Sequence, residues 1–217
     1  LRADGFEKSS DNRVRTMNEV EDADEMLLAA RDLSLRRGDR IVVAGVTLFL
    51  KRRRSYLLRG ANGSGKTSLL RAFAGFLPPA SGSLERDAHG SAYLGHADGV
   101  KSNLTGRENI RFWGELFGAS AGAEDDAICA LGAAPLLERR AADLSAGQRR
   151  RLALCRIALS GRPLWLLDEP TAGMDAASLA AALALVAAHC TRGGAAVIAT
   201  HEFLPFQPTA TITLASA

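Results

Sequence analysis

Gly60-Ala61-Asn62-Gly63-Ser64-Gly65-Lys66-Thr67 fits G-x-x-x-x-G-K-[ST], and its surroundings decide the fold. Before it, Ser55-Tyr56-Leu57-Leu58 reads as a short buried strand; after it, SLLRAFAG, opening on Ser68, reads as a helix. Glycines let the backbone wrap a phosphate closely, and the loop amides and helix N-terminus supply fixed positive potential. Lys66 is placed to reach the β- and γ-phosphates of a nucleotide, and Thr67 offers a hydroxyl to Mg²⁺. Residues Gly60 to Ser68 are therefore the expected nucleotide cradle.

Further along, Leu164-Trp165-Leu166-Leu167-Asp168-Glu169 is an apolar strand ending in two carboxylates. A buried parallel strand delivers its last residues to the sheet's carboxyl edge, where the phosphate loop also lies. Asp168 can orient Mg²⁺ or its water, and Glu169 can polarise or deprotonate an attacking water. Between the two motifs stands Leu144-Ser145-Ala146-Gly147-Gln148, just where the helical run RRRLALCRIALSG begins. Hydroxyl, amides and helix dipole again point at an anion. One nucleotide already has its cradle, so a second makes most sense serving a neighbour's nucleotide.

These motifs resemble the nucleotide-binding subunits of ATP-binding cassette (ABC) transporters. LSAGQ matches the family signature LSGGQ with Ala146 in place of Gly. DEPTAGMD matches Walker B and the D-loop, ending at Asp175, and His201 after AAVIAT matches the switch histidine. The resemblance implies ATP and Mg²⁺ as cofactors, with Thr67 and Asp168 on the metal. It implies catalytic roles for Glu169, Lys66 and His201, and nucleotide contacts from Ser145, Ala146, Gly147, Gln148 and Asp175. It also implies two partners: a second copy in a head-to-tail ATP sandwich, and integral-membrane transporter subunits.

YLGHADGVKSNLTGRENIRFW and SAGQRRRLALCRIALSGRPLWLLDEPTAGMD carry a narrower resemblance, to the ATPase subunits of the cytochrome c maturation haem exporter. That implies a peripheral protein on the cytoplasmic face of the bacterial inner membrane, powering haem delivery. Two alternatives stay open: an ABC transporter ATPase for another cargo, and a non-transport ABC ATPase. Nothing in the cassette is a haem-ligation motif. Three positions depart from the ABC pattern. Gly95-His96-Ala97-Asp98 lacks the usual Gln, and His96 is the candidate substitute. Arg37-Gly38-Asp39-Arg40 lacks the aromatic that stacks on adenine, leaving an arginine plane for that role. Lys51 to Arg54 replaces a glycine-containing turn and reads as a solvated turn; Arg149-Arg150-Arg151 reads as a solvated helix face.

The remaining sequence supports an α/β fold, a P-loop NTPase ABC cassette. MLLAARDLSL, with Leu28, Ala30 and Leu33 on one face, and IVVAGVTLFL form a hairpin, the antiparallel portion. Strands at Ser91–Leu94, Leu164–Leu167 and Ala195–Thr200 alternate with helices at Leu104–Phe117, Ala146–Leu159 and Ala176–Thr191, which argues a mostly parallel sheet. The tail from Thr209 adds a closing strand. Residues 26–217 form the ABC domain, with a helical signature subdomain inserted at about residues 98–160. Residues 1–25 read as a disordered extension, with Met26 a candidate start. The 217 residues carry 27 Lys+Arg against 24 Asp+Glu, a net +3, too weak a field to argue for nucleic acid as a partner. Three cysteines at unrelated spacings suggest neither a metal box nor a disulfide framework, which fits a reducing compartment. The alanine-rich run from Ala176 to Ala188 would span about 20 Å against roughly 30 Å of hydrocarbon, so it reads as a buried helix.

Overall fold

The structure, a computed structural model, describes residues 25–120 and 122–214. The extension read at residues 1–25 lies outside the described residues except for Glu25. Two sheets form. The smaller is antiparallel, in the order β2-β1-β4: β1 (Met26–Arg37), β2 (Arg40–Lys51) and β4 (Ser81–Arg86). The larger has five parallel strands in the order β5-β6-β7-β3-β8. These are β3 (Ser55–Arg59), β5 (Ser91–Leu94), β6 (Leu164–Asp168), β7 (Ala195–Ala199) and β8 (Ala210–Thr213). Five α-helices connect them: α1 (Lys66–Phe73), α2 (Gly106–Phe117), α3 (Ala123–Ala130), α4 (Ala146–Leu159) and α5 (Ala176–Thr191).

The parallel strands are buried on both faces, and their alternation divides the core in two. Leu164, Leu166, Val197 and Leu58 pack with α1 and the antiparallel sheet. Trp165, Leu167, Ile198 and Leu57 pack with residues of α2 to α5 on the other side. Phe73, fully buried, anchors α1; removing a side chain of that size from water is worth roughly 1.5–3 kcal/mol. The local signals for the helix starts are caps. Ser145 and Gln148 form a capping box at α4, Thr105 and Glu108 form another at α2, and Asp175 accepts from the Ser178 amide at α5. Thr105 as cap moves the start of α2 from the expected Leu104 to Gly106.

Other expectations change. In β1, Leu28, Ala30 and Leu33 share one core as expected, but Leu27, beside the register shift at Met26/Leu28, joins that core and Ala29 is buried as well. β4 and α3 carry no clear pattern in the sequence. β4 is an almost wholly exposed edge strand held by pairing with β1, and α3 buries only Ala127 within its span. Arg52 to Arg54 form the turn between β2 and β3, with Arg52 lying 3.7 Å from Asp87. α5 buries one face through Ala182, Leu183, Leu185 and Val186, while Ala180, Ala184 and Ala187 are exposed. No helix among the described residues is long and apolar enough to cross a membrane. Cys155 and Cys190 are buried free thiols, and burial pushes Cys155 up to about 12, which makes it unreactive.

His189 on α5 stacks on Trp165 with ring centroids 3.8 Å apart, and its Nε2 lies 3.0 Å from the Pro163 carbonyl. Burial depresses its pKa to about 4. Between that value and the ordinary 6.5 the unfolded chain binds the extra proton, so stability rises with pH across this window and is lost as pH falls. The effect is bounded at roughly 3 kcal/mol. His189→Phe keeps a ring on Trp165 and removes the proton site, so its melting temperature should fall less than that of the parent between pH 6.5 and 4.5. Equal falls in thermal unfolding would show that His189 does not carry this dependence.

Candidate active site

In the larger sheet only β7 separates β3 from β6, and all strands run parallel, so both carboxyl ends reach one edge. From β3 the chain enters the loop Gly60 to Gly65 and then α1. Gly65 has φ 94°, and a Cβ there would lie 2.6 Å from the Val42 carbonyl oxygen. Glycine thus lets the loop lie directly on β2. Lys66 Nζ folds back over the loop, donating to the Gly60 carbonyl at 2.7 Å and the Ala61 carbonyl at 3.0 Å. Thr67 Oγ1 donates to Asp168 Oδ2 at 2.8 Å. Ser64 is 3% exposed, and its Oγ has no hydrogen-bond partner. A buried, unpartnered hydroxyl inside a ring of glycines suits a phosphate oxygen.

The cleft beside this loop has a volume of about 390 Å³. Asn62, Gly63, Gly65, Lys66, Thr67 and Ser68 line one side, and Asp168 and Glu169 another. His96 and Arg37 also line it, so the candidate substitutes for the missing Gln and the missing aromatic both lie at the cleft wall. Gly60 and Ala61 take part through the carbonyls that hold Lys66. Asp168 is 6% exposed; burial, reinforced by neighbouring Glu169, raises its pKa, against the Thr67 bond, Arg150 and Lys66. Glu169 has φ 48°, an uncommon conformation for a residue with a Cβ. Its carboxylate accepts from Thr200 Oγ1 at 2.8 Å and from the His201 amide at 3.1 Å, and His201 Nδ1 lies 2.8 Å away. That hydrogen bond to Glu169 raises the His201 pKa.

Ser145, Ala146, Gly147, Gln148 and Asp175 do not line this cleft. Ser145 and Ala146 are exposed at the N-terminus of α4, and Asp175 is exposed at that of α5. Gly147 backs onto Gly173, where any Cβ would collide with the Gly173 carbonyl, so the signature and the D-loop pack as one surface. Gln148 Oε1 accepts from the Ser145 amide at 3.0 Å and from Arg139 at 3.3 Å. The bond from the Ser178 amide lowers the Asp175 pKa. One chain therefore gathers Gly60 to Ser68, Asp168, Glu169 and His201, and carries Ser145 to Gln148 and Asp175 elsewhere.

The reading of Arg149-Arg150-Arg151 as a solvated face is corrected. Arg149 pairs with Asp98 through two bonds of 3.0 and 3.2 Å, and Arg151 donates to the Gly132 carbonyl at 3.2 Å. Arg150 is 7% exposed and reaches the carbonyls of Asp168, Glu169 and Gly95. The signal that exposes it is helical spacing: Arg150 shares a stripe with Leu154 and Ile157, both fully buried.

A glycine-walled phosphate loop, a cleft-facing Asp–Glu pair and a histidine on that pair define a P-loop ATPase. The model of the ABC transporter family matches residues 43–172. The chain is 50% identical over 175 residues to the cytochrome c biogenesis ATP-binding export protein CcmA of Paracoccus denitrificans, covering 81% of this chain and 82% of that one. Its counterpart in Rhodobacter capsulatus is 45% identical, with 81% of each chain covered; that of Hyphomonas neptunium is 40% identical, covering 87% and 96%. The chain belongs to the ABC transporter family and, within it, to the cytochrome c biogenesis ATP-binding export proteins. It is an ABC transporter ATPase, and it binds ATP.

Two solved structures share the fold. The ATP-binding subunit of an ABC transporter matches with a TM-score of 0.73 at 23% identity, covering 81% of this chain and 79% of that one. A putative ABC transporter ATP-binding protein from Pyrococcus furiosus matches at 0.75 and 22%, covering 86% and 96%.

Gly65→Ala and Gly63→Ala separate close approach from backbone strain. Both residues have positive φ, but a Cβ at Gly63 meets nothing within 4 Å. Binding of a fluorescent ATP analogue should weaken at least about 10-fold more at Gly65, since displacing the loop costs more than a single strained φ. Equal losses would mean that contact with Val42 does not set the loop.

Proposed function

We propose that two copies of this chain close head-to-tail around two ATP molecules and power haem delivery for c-type cytochrome assembly through membrane subunits. The observation that carries this reading is the division of the site. Lys66, Thr67, Asp168 and Glu169 line one cleft, with His201 bonded to Glu169, while Ser145 and Ala146 stand exposed outside it at the N-terminus of α4. The amides at the N-terminus of α4 suit the phosphates of a second copy's nucleotide, and the exposed Asp175 lies on the same surface.

The residues present fit Mg²⁺. Thr67 and Asp168 bring a hydroxyl and a carboxylate to within 2.8 Å of each other at the cleft wall. No group of three or more His, Cys, Asp or Glu among the described residues could hold a metal, so the other ligands would be phosphate and water oxygens, as Mg²⁺ prefers. When bound, the ion supplies positive charge to the phosphates.

Around it the chain's own groups divide the work. An entering phosphate replaces the Gly60 and Ala61 carbonyls as partner of Lys66, which brings its charge to the β- and γ-phosphates. Glu169 orients the attacking water and accepts its proton. To do so it must release His201, whose ring N–H is then free to donate to the γ-phosphate. Binding energy becomes motion because the two halves of each site meet only on closure.

On this reading residues 26–217 are one cassette, with residues 98–160 as its helical insertion, peripheral on the cytoplasmic face of the bacterial inner membrane. The haem assignment rests on the cytochrome c biogenesis relatives and on the YLGHADG and SAGQRRR stretches. A strain lacking its own cytochrome c biogenesis export ATPase provides the test. This chain should restore haem-stained c-type cytochromes. Glu169→Gln should fail to restore them, yet bind ATP and persist as an ATP-bound dimer, with hydrolysis at least about 100-fold slower. Normal hydrolysis by Glu169→Gln would remove Glu169 as the base, and an unrestored strain would remove the haem assignment.

A further inference from the structure

Arg150 lies in the first turns of α4, five residues beyond Ser145, yet its guanidinium serves two other loops. Nη1 donates to the Gly95 carbonyl at 2.7 Å, Nη2 to the Asp168 carbonyl at 2.9 Å, and Nε to the Glu169 carbonyl at 3.1 Å. The acceptors are the end of β6, the residue after it, and the residue that follows β5. A planar fork meets three carbonyls on two segments, which an ammonium with a single nitrogen cannot reproduce.

The placement is costly. Burial disfavours the charged form of Arg150, and none of its three bonds goes to a carboxylate. Asp98, the acid on the loop after β5, is already engaged by Nε and Nη2 of Arg149. A guanidinium retained at such a site holds the backbone ends of the two strands that frame the cleft. Glu169 is the residue that needs holding. Its φ of 48° is unfavourable for a side chain with a Cβ, and its peptide is fixed from two sides: its amide donates to the Ala199 carbonyl at 2.8 Å, and its carbonyl accepts from Arg150. On the other segment, Gly95 directly precedes His96, which lines the cleft where the family's Gln is missing.

We infer that Arg150 is a positioning residue that ties the N-terminus of α4, with its Ser145–Gln148 segment, to the backbone carrying Asp168 and Glu169 and to the loop carrying His96. Engagement of Ser145–Gln148 by a second copy's nucleotide is thereby transmitted, through one side chain, to the carboxylate and the histidine of the chain's own cleft. The inference deepens the proposed function and rests on its assignment of Glu169.

Amide hydrogen exchange and ATPase kinetics on full-length Arg150→Ala test it, with Arg150→Lys as the variant that keeps the charge and loses the fork. In both, the amides of residues 95–98 and 168–172 should exchange at least about 10-fold faster, while those of α1 and of the second half of α4 stay unchanged. kcat should fall at least about 20-fold with KM for ATP within about twofold, and methylguanidine added to Arg150→Ala should recover part of kcat. Faster exchange throughout the chain, or a raised KM with unchanged kcat, would reduce Arg150 to a packing or binding residue and overturn the inference; so would unchanged exchange in both segments. Glu169→Gln separates the two readings. It should lose kcat with no change in exchange at residues 95–98, and if it hydrolyses normally the base assignment fails while the exchange result still decides the role of Arg150.

Discussion

Thr67 and Asp168 stand 101 positions apart in the chain and 2.8 Å apart in space, and the rest of the site is arranged around that hydrogen bond. It exists only because β3 and β6 run parallel with β7 between them, so that both end on the same edge. Residues from Ala74 to Pro163 connect the two without disturbing that register. Alternate side chains of the same strands fill two separate cores, one with α1 and the small sheet and one with the α2–α5 side. A shift of one residue in β6 would exchange Trp165 and Leu167 with Leu164 and Leu166 and turn Asp168 away from Thr67.

Much of this was legible because it is local. The phosphate loop declares itself by glycine spacing, α4 by a cap residue followed by a helical run, and α5 by its alanine-rich apolar run. The strand ending at Asp168 shows itself as an unbroken apolar stretch, as a strand covered on both faces must. β4 was not legible, since SGSLER has no apolar alternation and is a strand only because β1 offers a ladder. α3 was equally silent, with a single buried residue in its span. The expected role of Glu169 came from its place just past the apolar strand and that of His201 from family resemblance, and nothing in the sequence indicated that the two would be joined to each other. Arg150 was hidden by its neighbours: three consecutive arginines look alike until helix geometry turns one of them inward.

Two bases drawn out of water to different depths show how the same cost is met differently. His189 gives up its proton, rests against Trp165 and becomes a neutral packing element. Arg150 keeps its charge and spreads it over three carbonyls. One departure from the ABC pattern falls beside this second solution. Ala97 leaves the loop after β5 without a Gln, His96 faces the cleft, and the carbonyl just before His96 is held by Arg150. The loop thus keeps a link to the acidic pair through a guanidinium donated by the helix that carries the signature.

The proposed function makes each cleft half of a site, completed by the exposed segment at Ser145 of a second copy. Complementation between inactive chains tests this most directly. Lys66→Ala disables the phosphate loop and Ser145→Arg disables the exposed cradle, so each chain alone should be inactive. In an equal mixture, a twofold head-to-tail pair rebuilds one intact site in every mixed dimer, so hydrolysis should recover to on the order of a quarter of the parent's. A mixture no more active than its separate components would mean that Lys66 and Ser145 must belong to the same chain, and that two copies do not share the site.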